Sequence, residues 1–167
     1  MAQFFKSSYS KGMLLFTILT LCIFIYCIFR MALWLQQKPD DAHRLVFGCL
    51  AILILAILTV YAYASQIKGI EVTSDHLFIK KKIGEIAIKT DNIQYIRHKK
   101  DIMWDVRLWG ISGLFGHFGW FWNQRNGNYF AIANNGNNLV EIKTANKCYV
   151  VSCDRYEELL ELLGQPK

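Results

Sequence analysis

The chain has 167 residues, of which 53% are hydrophobic and 14% aromatic, with 19 Lys+Arg against 13 Asp+Glu. So apolar a composition at modest net charge excludes a disordered chain, and five scattered Cys are too few for a disulfide scaffold. The length allows one small soluble domain and little more.

Residues 1–12 form a short basic N-terminus with Lys6 and Lys11. Residues 13–35, MLLFTILTLCIFIYCIFRMALWL, follow with the single charge Arg30, and residues 45–67, LVFGCLAILILAILTVYAYASQI, carry none. A run of that length is about 34 Å long as a helix, enough for a hydrocarbon core of about 30 Å. A helix also satisfies every backbone amide internally, as lipid requires. The reading is a two-helix transmembrane hairpin joined by the connector 36–44, with a tight turn at Pro39-Asp40-Asp41. Arg30 lies near its helix end, where its guanidinium snorkels to the interface beside Trp34. The first run is too long for a signal-peptide core and has no small-x-small site after it.

Lys6, Lys11, Lys68 and Lys80 to Lys82 flank the hairpin on one side, whereas the connector has Lys38 and Arg44 offset by Asp40 and Asp41. The positive-inside rule then places both termini of a multi-pass membrane protein in the cytoplasm. Cys22, Cys27 and Cys49 are intramembrane fillers. Cys148 and Cys153, in CYVVSC, fall on opposite faces of a strand and are poorly placed to pair.

Residues 69–167 carry 13 Lys+Arg against 11 Asp+Glu, a net +2. Apolarity there switches to period two. Ile102, Trp104, Val106 and Leu108 alternate with Met103, Asp105, Arg107 and Trp109, which predicts a strand with one buried face. Ile86 and Ile88, then Val140, Ile142 and Thr144, repeat the pattern. Short turn signals between the runs predict a meander of antiparallel hairpins. The tail DRYEELLELL predicts a helix: Asp154 as its cap, Glu157 closing a capping box, and Tyr156, Leu159, Leu160 and Leu163 on one stripe. Gly164 ends it.

Strands first and one amphipathic helix last resembles the pleckstrin-homology fold, and more specifically the bacterial pleckstrin-homology-like (PH-like) domains of membrane proteins. The resemblance is carried by GISGLFGHFGWF from Gly110, GNYFA from Gly127, LVEIKT from Leu139, YVVS from Tyr149 and the acidic helix start at Asp154. One departure is Arg155-Tyr156 where the family often has Pro. The resemblance implies an α+β domain over 69–167, an antiparallel β-sandwich or barrel of about seven strands capped by a C-terminal helix. It also implies a binding or assembly module, and brings no catalytic residues with it.

His43, His76, His98 and His117 form no HxxxH or HExxH pair and lie at no zinc-finger spacing from Cys. Gly110, Gly113, Gly116 and Gly119 recur every third residue, yet no phosphate-binding glycine motif or nucleophile elbow is present. The expectation is therefore no enzyme, no cofactor and no metal. Candidate contact residues are Trp109, Phe115, Phe118, Trp120 and Trp122, which either fill the core of a long hairpin or rest at a membrane or partner surface. Two basic clusters join them: Lys80, Lys81 and Lys82, then Arg97, Lys99 and Lys100. Those either face an anionic leaflet, at about 1 kcal/mol per basic residue, or protect strand edges. The expected partners are membrane lipids, a protein segment or a second copy. Nucleic acid is excluded by the small net charge and the absence of an RNP-like strand. The alternative is a component of a membrane enzyme or transport complex with its site between helices and domain.

Overall fold

The computed structural model describes residues 2–36 and 42–164. Helix α1, Lys11–Gln36, and helix α2, Ala42–Ala64, are long and apolar enough to cross a membrane. Only 6% and 11% of their most apolar windows are buried, unlike the core helix of a soluble protein. The hydroxyls of Thr17, Thr20 and Thr59 donate to the carbonyls of Met13, Phe16 and Leu55 at 2.8, 2.9 and 2.8 Å, so these polar groups are satisfied within their own helices. Ser10 caps α1, its Oγ accepting from Met13 N–H at 3.2 Å. At the far end the helices touch closely: a Cβ on Gly48 would lie 2.8 Å from the Leu35 side chain. The expected turn at Pro39-Asp40-Asp41 lies outside the described residues.

Residues 1–12 hold more than a basic tail. Strand β1, Gln3–Lys6, precedes α1, and strand β2, Ile67–Val72, follows α2; the two pair antiparallel from Gln3 opposite Val72 to Lys6 opposite Gly69. Strands β3, His76–Lys81, and β4, Glu85–Lys89, complete a four-stranded sheet in the order β1-β2-β3-β4. The second sheet takes β5 (Ile93–Lys99), β6 (Val106–Ser112), β7 (His117–Asn123), β8 (Gly127–Ala133), β9 (Leu139–Thr144) and β10 (Cys148–Ser152) in the order β5-β9-β10-β8-β7-β6.

The simple meander expected from the turn signals does not continue to the end. β10 enters between β9 and β8 and runs parallel to β8. Central strands are covered on both faces, which explains why β10 reads Val150-Val151 without alternation. The described residues contain ten strands where about seven were expected.

Two apolar clusters sit on opposite faces of the second sheet. The larger fills the space between the sheets, with Phe5, Ile70, Leu77, Ile79, Ile132, Val140, Ile142 and Val151, and helix α3, Tyr156–Leu163, covers it through Leu159. The smaller holds Phe121, Tyr129, Leu139, Cys148 and Val150 under Ile102. Cys148 and Cys153 belong to different clusters and are free thiols. Tyr156, Leu160 and Leu163 pack beside Leu159, the stripe expected from their spacing.

Asp154 does not cap α3. Arg155 is the N-cap residue and makes no side-chain cap bond. The Asp154 carboxylate instead accepts from Ser8 N–H at 2.9 Å and Ser8 Oγ at 2.6 Å, while Asp154 N–H donates to the Lys6 carbonyl. Ser8, two residues past β1, offers two donors to one carboxylate, and these outcompete a local cap.

Candidate functional site

The hairpin of β6 and β7 is where the sheets meet the helices. Gly110 stands opposite Gly119 at φ of 125° and 133°, and a Cβ on Gly110 would lie 2.1 Å from the Phe118 carbonyl oxygen. Only glycine permits that backbone approach. The hairpin tip then turns onto α1: Gly113 N–H donates to the Gly116 carbonyl at 2.9 Å, and Phe115 N–H donates to Thr17 Oγ1 at 3.0 Å. Gly113, at φ 107°, lets the Phe16 ring sit where its side chain would be. On the other side Phe115 meets Tyr63 edge-on at 5.8 Å, and Phe118 meets Tyr61 edge-on at 5.7 Å. The tip is thus clasped between the start of α1 and the end of α2.

Strand parity divides the aromatic candidates. Phe121 is buried and stacks on Tyr129, whereas Phe118 and Trp120 meet Phe130 edge-on on the opposite face. Trp109 is 78% exposed, and Trp122 is exposed to a lesser degree. The buried strand face expected over 102–109 is absent. Ile102 alone is buried, in a turn before β6, while Met103 and Trp104 are 81% and 87% exposed and Val106 and Leu108 stand open as well. β6 is the outermost strand of its sheet and pairs with β7 on one side. Its alternation therefore marks a strand, but no second layer covers Val106 to Trp109. The sequence reading missed Met103, Trp104, Val106 and Leu108 as surface residues, and alternation by itself carries no signal of an edge.

The basic candidates are placed differently from one another. Lys80 pairs with Glu71 at 3.2 Å and with Glu85, and lies over the Phe78 ring. Lys81 stands opposite Ile67 in the β2–β3 register, half-buried. Lys82 sits beneath the end of α2, its Nζ 5.1 Å from the Tyr63 ring centre and its N–H donating to the Gln66 carbonyl. Arg97 binds Glu141 at 2.8 Å and Asn126 Oδ1 at 2.6 Å. Lys99 binds Asp105 at 2.7 Å. Lys100 is exposed on the rim of an open cleft of about 530 Å³ that Arg125 also lines. Arg97 and Lys99 are thus held by internal carboxylates.

The model of the bacterial PH domain family matches residues 68–166, more than half of the chain. The chain belongs to the bacterial PH domain family. No curated protein and no solved structure is significantly similar to it. In this PH domain the first sheet is completed by β1, which lies before the matched region. Among the described residues no group of three His, Cys, Asp or Glu is placed to hold a metal ion. Burial pushes the Cys148 and Cys153 thiols up to about 11, so neither is a ready nucleophile at neutral pH.

Asp105 ties the PH domain together where the turn enters β6. Its carboxylate accepts from Lys99, from Asn123 Nδ2 at 3.1 Å and from the Tyr129 hydroxyl. Burial opposes its ionisation, but the bonds from Lys99, Tyr129 and Asn123 outweigh that and hold its pKa below the usual carboxylate range. The folded pKa is depressed, so the stabilisation is present above the unfolded value of about 3.9 and is lost as pH falls through the folded value. Thermal unfolding of the whole chain in detergent should show wild type above Asp105→Asn at pH 7, with the gap closing below about pH 4. A gap that stays constant down to the lowest pH would show that Asp105 ionisation contributes nothing.

Proposed function

We propose that this chain is a membrane-anchored, non-catalytic binding and assembly module, its PH domain held at the cytoplasmic face of the bacterial inner membrane. The pairing of β1 with β2 supports the topology, because one strand precedes the helical hairpin and the other follows it. Both ends of the hairpin must then emerge on one side. Lys6, Lys11, Lys68 and Lys82 lie on that side, which favours the cytoplasm.

The observation that carries the binding role is the open edge at β6. VRLWGIS holds one charge in seven residues, and Val106, Leu108 and Trp109 are exposed upon it. An open edge with so little charge offers unpaired main-chain groups to an extended segment of another chain, and alternate side chains give selectivity. Anchoring raises local concentration, so a weak edge contact suffices between proteins of the same membrane. The ligand is read as an extended protein segment, a second copy of this chain included.

A photo-crosslinking residue in place of Leu108 in native membranes should give a discrete protein adduct, identified by mass spectrometry. Placing Lys at Val106 as edge protection should abolish the adduct without lowering the unfolding temperature. Adducts with lipid alone, or a protein adduct indifferent to Val106→Lys, would refute the edge as the recognition element.

A further inference from the structure

The junction of helix and domain encloses an open cleft of about 640 Å³, to which β6 contributes Arg107 and Ser112 rather than Val106, Leu108 and Trp109. That volume falls within the usual range for small-ligand sites. One wall is apolar: Met13 and Phe16 from α1, with Met103 and Phe121 from the domain. Phe16 also belongs to the exposed apolar surface of α1, so the apolar wall of the cleft joins the exposed side of the helix. The other wall carries Arg107 and His117.

Charge distinguishes this cleft from an apolar gap. Asp105 is the carboxylate that lines it, and Lys99, Asn123 and Tyr129 already occupy that group. Among the described residues Arg107 makes no ion pair. His117 Nδ1 is bonded to Ser112 Oγ at 2.7 Å. Burial and then the nearby Arg107 lower the His117 pKa, so the ring stands as a neutral hydrogen-bonding group and Arg107 as the lone cation. A cation without a counter-charge, beside an apolar wall continuous with a membrane helix, matches an amphiphile with an anionic head.

We infer that this cleft binds an anionic glycerophospholipid of the surrounding bilayer, with its phosphate at Arg107 and the start of an acyl chain along Met13 and Phe16. The Arg fork suits phosphate oxygens. The inference rests on the membrane-anchored reading above and names a ligand for the junction rather than for the edge.

The whole chain, reconstituted in nanodiscs of phosphatidylcholine containing phosphatidylglycerol and released for native mass spectrometry, tests it. Wild type should retain phosphatidylglycerol in preference to phosphatidylcholine. Arg107→Gln, on an exposed stretch of strand, should reduce that preference about tenfold, as expected for losing a charge-assisted hydrogen bond. Met103→Glu, which adds a like charge to the apolar rim at an exposed position, should do the same. Equal retention by wild type and Arg107→Gln would overturn the site. Displacement of the lipid by inorganic phosphate would also overturn it, since the acyl chain would then contribute nothing. A chain that fails to enter the nanodiscs would refute the anchored reading itself, an outcome distinct from both.

Discussion

Phe5→Ala is expected to destabilise the folded domain by about 3–5 kcal/mol, the range for removing a fully buried aromatic ring. Phe5 is completely buried in the cluster between the sheets and lies opposite Ile70 in the β1–β2 register, although it belongs to the segment before the first helix. Its neighbour Phe4 is half-exposed, so Phe4→Ala should cost clearly less. Denaturant unfolding of the whole chain in detergent, followed by tryptophan fluorescence, measures both. Equal midpoints for wild type and Phe5→Ala would mean that β1 does not belong to the fold. Ser7 and Ser8 continue the attachment through Ser152 and Asp154, and Arg155 Nη2 donates to the Phe4 carbonyl. A fragment of residues 69–167 lacks all of this. Binding measurements on such a fragment would report a damaged sheet, so the whole chain is the form in which binding is read.

Local features of the chain were legible and non-local ones were not. The two apolar runs announce themselves by unbroken length, and the stripe Tyr156, Leu159, Leu160, Leu163 by its spacing within a few turns, and each folds as that local signal dictates. QFFK is too short, and too far from its partner in sequence, to announce a strand. The stretch 102–109 shows the reverse failure. Its alternation is real, but whether a face is covered depends on which strands end up beside it, and β6 ended at an edge. Asp154 had a satisfactory local role as a cap and took a better one 146 residues away. The basic clusters were visible as charge, yet their partners are set by register: Lys80 stands opposite Glu85, and Arg97 opposite Glu141.

That last pair gives the sharpest test of what the basic cluster is for. Glu141 is buried on β9, where it accepts from Arg97 at 2.8 Å, from the Tyr95 hydroxyl at 2.9 Å and from Asn126 Nδ2 at 2.5 Å. The side chains differ in access to water: Arg97 is 40% exposed and Glu141 2%. Arg97→Ala therefore leaves a buried carboxylate with Tyr95 and Asn126 as its remaining partners, and should cost about 1–3 kcal/mol. Glu141→Leu should cost less, because the freed guanidinium can turn into solvent and the apolar replacement fills the space. Adding Glu141→Gln to Arg97→Ala removes the unpaired charge and should recover part of the loss, a coupling that chemical unfolding of wild type, the two single variants and the double variant reads directly. A lipid-binding role for Arg97 predicts the opposite ordering: weaker membrane contact with an unchanged unfolding midpoint. If Arg97→Ala unfolds at the wild-type midpoint, the guanidinium is free for an external anion. If it unfolds early and Glu141→Gln rescues it, the cluster is part of the scaffold rather than an anion site.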